Sequence, residues 1–235
     1  MHYSEPGGLV LDPLCDDPGT LIEAIRLGRD ALGLTSLDPE RNADQALALH
    51  EAQRSGASGN AQVFVGEPCE LARLLARKAG PLLNQRANGA GLREVARHPC
   101  GAVDLVLLGA TLLPLEQRQP RRRHWWTSAA SGDQLLSACT ALLRPGGFLL
   151  FAAPTAHPNA EDTDLVSELV RIGQSHGLQY WQHVIVLCAP IENGQLHPIA
   201  TTSRNRCHGD LLAFRKPEAA DEQHEHGNIG ARWAA

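Results

Sequence analysis

A three-layer α/β domain, with a mostly parallel seven-stranded sheet and an antiparallel closing strand, is the fold class this sequence predicts. Three observations predict it. Short apolar runs alternate with helical-period segments of roughly 10–15 residues, the signature of parallel βαβ units. The runs "VDLVLL" and "FLLFAA" are almost continuously apolar, as strands covered on both faces must be. The last two strand-like runs follow one another with no helix between them, which implies an antiparallel end. A chain of 235 residues suffices for one domain with a sizeable core.

The elements follow in order. "GGLVLDP" is a strand ended by Asp12-Pro13, and residues 18–30 form a helix with Leu21, Ala24, Ile25 and Gly28 on one side and Glu23, Arg26 and Arg29 on the other. "DALGL" (30–34) is the second strand. A helix over 39–53 is expected to present Ala43, Ala46, Leu47 and His50 on its inner face, and "SGASGN" ends it. "AQVFV" (61–65) is the third strand. Helices are expected over 67–79, with Leu71, Leu74 and Leu75 inside, and more briefly over 91–97. "AVDLVLL" (102–108) is a central strand. The helix in "DQLLSACTALLRPGG" aligns Leu135, Cys139 and Leu142 and ends before Pro145; "FLLFAA" (148–153) is the next strand. A polar linker leads to a helix over 161–175 carrying Leu165, Leu169 and Ile172. "LQYWQHVIVLC" and "GDLLAFRK" are the closing strands, separated by a turn-rich stretch from Pro190 to His208.

The composition is 43% apolar and 20% charged with a formal charge of −5, an ordinary soluble chain. It excludes a globally basic surface but not a local basic patch. No run of about 18 apolar residues is present, so no membrane span is expected. Residues 1–15 lack the basic start and apolar core of a signal peptide. The cysteines at 15, 69, 100, 139, 188 and 207 form no CxxC pair and are read as buried thiols of a cytoplasmic protein. No metal site is expected: His98, His157, His176, His183, His197 and His208 are scattered, and His224 and His226 have no fixed partner. The domain is expected to span residues 1–217, and the polar, glycine-bearing tail 218–235 to be disordered.

Three pieces occur in a fixed order: Leu11-Asp12-Pro13-Leu14-Cys15, Leu143-Arg144-Pro145-Gly146-Gly147, and Asp210 to Pro217. With "VDLVL" between the first two, the set resembles the S-adenosylmethionine-dependent DNA amino-methyltransferases, which modify adenine N6 or cytosine N4. The order is similar to that of actinobacterial members that share a layout with tRNA guanine methyltransferases. The likeness covers residues 8–217. It implies a Rossmann-like class I methyltransferase fold with S-adenosylmethionine as cofactor. The cofactor-binding positions it implies are Asp12, Cys15 and Asp16 after the first strand, Thr35 and Ser36 after the second, and Glu67 after the third.

The chain also departs from the family pattern. Family members follow the first strand with a pattern like D-P-x-C-G-x-G-T-T, whose glycines let the backbone approach the cofactor's methionine end. Here Asp16 and Pro18 stand at the glycine positions, and Gly19 at the threonine position before Thr20. "DDPGT" starts a helix well without a ligand, Asp17 as N-cap and Pro18 as first helical residue. The second strand should end in an acid that holds the ribose hydroxyls. Thr35 and Ser36 stand there, and hydroxyls bond less strongly than a carboxylate; Asp38 opens the next helix. Glu67 has two readings, an acceptor for the adenine amino group or a solvated helix-start glutamate.

At the fourth strand active relatives carry D/N/S-P-P-Y/F, a polar acceptor and a stacking ring for an extruded base. The matching positions are Gly109, Ala110, Thr111 and Leu112. Relatives also carry a segment before the first strand, whereas eight residues precede Leu9. No catalytic residue is therefore assigned. The expectation is a methyltransferase-like protein that is catalytically inactive and acts as a binding or regulatory subunit, with homo- or hetero-oligomers as partners. The alternative is an active enzyme with rebuilt motifs, acting on DNA or a small molecule.

Charge concentrates in the 109–132 loop, where "EQRQPRRRHWWTSAASGD" places Arg118, Arg121, Arg122 and Arg123 beside Trp125 and Trp126. Arginines next to indoles suit phosphate contact and base stacking. A protein interface and plain packing of the tryptophans are the competing readings.

Overall fold

The computed structural model describes residues 3–15, 17–35, 39–66, 101–109, 129–153, 165–187, 191–192, 195–196 and 208–218. The element order is β1 (Leu9–Asp12), α1 (Gly19–Arg26), β2 (Asp30–Thr35), α2 (Pro39–Arg54), β3 (Ala61–Val65), β4 (Val103–Gly109), α3 (Ala129–Leu142), β5 (Leu143–Ala153), α4 (Leu165–Ser175), β6 (Gln179–Leu187), the two-residue strands β7 (Ile191–Glu192) and β8 (Gln195–Leu196), and β9 (His208–Arg215). The expected helices over 67–79 and 91–97 lie outside the described residues, as do residues 161–164 and the tail from 219.

The seven-stranded sheet has the order β3-β2-β1-β4-β5-β9-β6. β1 to β5 pair in parallel, and β9 runs antiparallel to both of its neighbours. The mostly parallel sheet with an antiparallel closing strand is thus as the sequence predicts. β7 and β8 form a separate small hairpin inside the turn-rich stretch, where the sequence predicts no strand.

Each face of the sheet buries its own cluster. Leu11, Val106, Leu108, Leu149, Phe151, Leu212 and Phe214 meet Leu135, Cys139 and Leu142 of α3 and Leu169 of α4 on one side. Val10 and Ala31 meet Leu21, Ala24 and Ile25 of α1 and Leu49 and Ala52 of α2 on the other. Close approach is enforced at glycines. A side chain at Gly33 would lie 2.8 Å from Leu21 Cδ1 and 3.0 Å from Cys15 Sγ, and one at Gly173 inside α4 would run into the ring of Phe214.

Three sequence expectations are corrected. α2 turns Leu49 and Ala52 inward, not Ala43, Ala46, Leu47 and His50; Leu47 is 58% exposed. An alanine-rich helix offers several faces of similar hydropathy, and the tertiary contacts choose among them. Gly28 does not share the α1 face: it lies past the helix with φ +76°, where a left-handed turn ends it. β5 starts at Leu143 rather than at Phe148. Leu143 pairs with Val103 and Phe148 with Leu105, so "RPGG" is a bulge within the pairing of β4 and β5.

That bulge explains why "LRPGG" and "FRKP" occur together. Gly146 N donates to Lys216 O at 2.8 Å, and Lys216 N donates to Gly147 O at 2.8 Å. The Lys216 ammonium donates to the carbonyls of Thr140 and Leu143, each at 2.8 Å, and so caps the end of α3.

Candidate functional site

β1 is flanked by β2 on one side and β4 on the other, and the chain leaves β1 toward β2 but returns at β4. This reversal makes the carboxyl ends of β1 and β4 a topological switch point, where open α/β sheets place ligands. Asp12 ends β1, Thr35 ends β2 and Gly109 ends β4.

The turn from β1 into α1 is largely closed on itself. Asp12 Oδ1 accepts from Leu14 N at 3.1 Å, an Asx turn. Cys15 N donates to Leu34 O at 2.9 Å, which ties the turn to β2. Cys15 Sγ lies 3.4 Å from Asp17 O. Asp17 Oδ1 accepts from Gly19 N at 2.7 Å, and Pro18 already has helical backbone angles of −73° and −4°. The helix thus starts one residue later than predicted: Pro18, not Asp17, is the N-cap and its carbonyl accepts from Ile22 N at 2.9 Å, while the Asp17 carboxylate satisfies the amide of Gly19, the first helical residue.

The structure brings Asp12, Cys15 and Thr35 together at one edge. Asp12 is 5% exposed, Thr35 1%, and Cys15 is fully buried. At Gly109, by contrast, no atom of the described residues would lie within 4 Å of an added Cβ. Asp16, Ser36 and Glu67 fall outside the described residues, as do Ala110, Thr111 and Leu112 of the turn after β4. The same holds for Arg118, Arg121, Arg122, Arg123, Trp125 and Trp126.

Cys139 of α3 is a fully buried thiol, as the sequence predicts, and burial first, then the nearby charge of Asp12, pushes it well above the ordinary range. A packed neutral thiol is no nucleophile. Near the same sheet edge, Asp210 stands in register with Ala153, the last residue of β5, and its Oδ1 lies 2.8 Å from His183 Nε2 on β6. Nothing in the local sequence could link residues 27 positions apart; only the antiparallel register of β6 and β9 does. Among the described residues no group of three His, Cys, Asp or Glu side chains could hold a metal ion. Among them, too, no helix is long and apolar enough to cross a membrane.

No family model matches the chain, and no curated protein does. Solved structures do. An S-adenosylmethionine-dependent methyltransferase from Methanosarcina mazei is similar with 12% identity and a TM-score of 0.51, over 92% of this chain and 95% of that one. The aminoglycoside resistance methyltransferase NpmB1 is similar with 13% identity and a TM-score of 0.52, over 91% and 89% of the two chains. A structure from the conversion of a disulfide bond into a thioacetal group during echinomycin biosynthesis is similar with 16% identity and a TM-score of 0.50, over 92% and 79%. At these identities what is shared is the fold, that of the class I S-adenosylmethionine-dependent methyltransferases. The finer likeness to DNA amino-methyltransferases rests on the sequence motifs alone.

Proposed function

We propose that this chain binds S-adenosylmethionine at the switch point between β1 and β4 and is a methyltransferase whose acceptor site has been rebuilt. The observation that carries the reading is the reversal of strand order between β1 and β4, which in the methyltransferase fold lies beside a carboxylate, here Asp12.

The donor set fits the cofactor in part. The amides of Leu14, Cys15 and Gly19 are committed within the chain, so the methionine carboxylate has to be met by other groups of the turn. Asp12, Cys15 and Asp16 would line the methionine end, Thr35 and Ser36 would meet the ribose, and Glu67 would accept from the adenine amino group. Thr35 is nearly buried, so a ribose bond through its hydroxyl requires the end of β2 to open. When bound, the cofactor supplies an electrophilic methyl group on its sulfonium sulfur. The chain contributes orientation and exclusion of water at the edge of the sheet.

The acceptor is DNA or a small molecule. Gly109 to Leu112 offer neither a side-chain amide or carboxylate nor a ring, so an extruded base would have to be held by other residues. Arg118, Arg121, Arg122, Arg123, Trp125 and Trp126 supply charge and stacking surface for a nucleic acid after β4.

A second reading is favoured by that same turn and by the self-satisfied β1–α1 loop: a non-catalytic subunit that binds a partner or DNA and leaves the chemistry to another chain. Calorimetric titration with S-adenosylmethionine tests the cofactor. A dissociation constant of about 10 μM or tighter supports binding, and no heat at about 1 mM cofactor sinks it. Transfer of radiolabelled methyl from bound cofactor to DNA or to a small-molecule panel then separates enzyme from subunit.

A further inference from the structure

Asp12 and Thr35 end β1 and β2, on the half of the sheet's carboxyl rim where the cofactor is proposed to bind. The other half of that rim belongs to β4, β5, β9 and β6. β4 ends at Gly109 and β5 at Ala153, and neither residue has a functional side chain. Because β9 is antiparallel to β5, its beginning lies at this rim, and Asp210 pairs there with Ala153. Gly109 pairs with Ala152, so Asp210 stands two strands from it and one residue farther out. At about 4.8 Å per strand the separation is roughly 10 Å.

Asp210 is held in place. A carboxylate only accepts hydrogen bonds, so His183 Nε2–H donates to Asp210 Oδ1 at 2.8 Å. That bond uses one oxygen, and Oδ2 remains an acceptor. The Asp210 side chain is 17% exposed, partly desolvated yet still within reach of solvent. Ile185 of β6 is paired with Asp210 on the same face of the sheet and is 60% exposed. A fixed carboxylate and an accessible apolar side chain thus stand side by side on this half of the rim.

We infer that Asp210 and Ile185 bind the far end of the methyl acceptor, and that this end is an alkylammonium group. The ammonium bonds to Asp210 Oδ2, and its alkyl stem lies on Ile185. His183 is a positioning residue that fixes the carboxylate. A partly desolvated carboxylate attracts a cation and repels an anion, which favours a cationic small molecule over a phosphate-bearing acceptor. The separation from Gly109 puts the ammonium at the remote end of that molecule, away from the atom that takes the methyl.

The acceptor role rests on the methyltransferase reading, but the amine site itself is tested without cofactor. Butylammonium chloride is titrated into the full chain carrying isotope-labelled histidine, and the His183 ring resonances are followed. A saturable shift with a dissociation constant of a few millimolar, on the order of 1–10 mM, is expected. Asp210→Asn keeps an acceptor for His183 and removes the charge; it is expected to leave circular dichroism unchanged and to weaken binding at least about tenfold. Lengthening the amine from ethyl to hexyl is expected to tighten binding by up to about fourfold per methylene covered, and Ile185→Ala to flatten that trend. No saturable shift by about 50 mM butylammonium overturns the inference. So does equal binding of 1-butanol or butyrate, or unchanged affinity in Asp210→Asn. In a chain that binds both amine and cofactor, radiolabelled methyl is expected on amine-bearing small molecules and not on their N-acetylated counterparts; transfer to neither, or to both alike, overturns the acceptor role. Amine binding by a chain that gives no heat with S-adenosylmethionine sinks the methyltransferase reading instead, and the acceptor role with it, while the amine site stands.

Discussion

Asp104 of β4 holds two parts of the chain at once: its Oδ1 accepts from Arg144 Nε at 2.5 Å, and its Oδ2 accepts from Leu9 N at 2.8 Å. The amino end of β1 and the bulge that opens β5 are thereby fixed to the strand between them. Asp104→Ala removes both bonds and leaves Leu9 N without that acceptor. The expected loss is about 2 kcal/mol in urea unfolding, the scale for hydrogen bonds to a charged group. Arg144→Ala is expected to cost less, because the bond to Leu9 survives. Equal losses from the two variants would show that the β1 bond contributes nothing.

Gly173→Ala sets two effects against each other. Alanine raises helix propensity by about 1 kcal/mol over glycine. At this position, however, the new methyl meets the ring of Phe214, which Phe151 and Tyr180 hold edge-on at centroid distances of 5.3 and 5.6 Å. Overpacking of a held ring costs about 1–3 kcal/mol, so the net change is expected to be destabilising. A higher melting temperature for the variant would mean that α4 slides freely over β9.

Cys139 makes stability depend on alkaline pH. Its folded pKa is raised by burial and by Asp12, so the unfolded chain loses this proton first. The contribution is fully present below the unfolded thiol value of about 8.5, and it is lost as pH rises above that value. The slope from this one group approaches about 1.4 kcal/mol per pH unit. Cys139→Ala is expected to lower stability at pH 7 by leaving its buried site underpacked, yet to show a flatter decline from pH 8.5 to 10. Parallel declines in the two proteins would mean that Cys139 has no part in the alkaline loss. The native thiol is also expected to resist alkylation until the chain unfolds.

Replacing Arg121, Arg122 and Arg123 by alanine tests a nucleic-acid acceptor. Binding to duplex or single-stranded DNA is expected to weaken for all sequences, and the salt dependence to fall by about one unit of slope for each phosphate no longer neutralised. Absence of wild-type binding at low salt leaves the small-molecule acceptor.

Much of the fold was legible because two periodicities carry it. Strands β1 to β5 announce themselves as apolar runs, and α1 by Leu21, Ala24 and Ile25, all of them buried. The inner face of α2 was not legible, since Ala43, Ala46 and Leu47 are as apolar as the residues that turn inward, Leu49 and Ala52. Of the candidate site, the motif order marks the position of Asp12 and Thr35 at neighbouring strand ends, but not their burial. Burial is set by what packs above a residue, and that comes from distant chain segments. His183 and Asp210 meet for the same reason without any local signal.

β9 is the last strand in sequence yet lies in the interior of the sheet, between β5 and β6. During synthesis, at roughly 5–20 residues per second, β5 must therefore wait with a bare edge until residue 215 has left the ribosome. β6 emerges earlier and has no place to dock. A nascent chain stalled near residue 207 would expose two apolar strands at once, which makes the emergence of β9, rather than any single contact, the step that commits this sheet to its native topology.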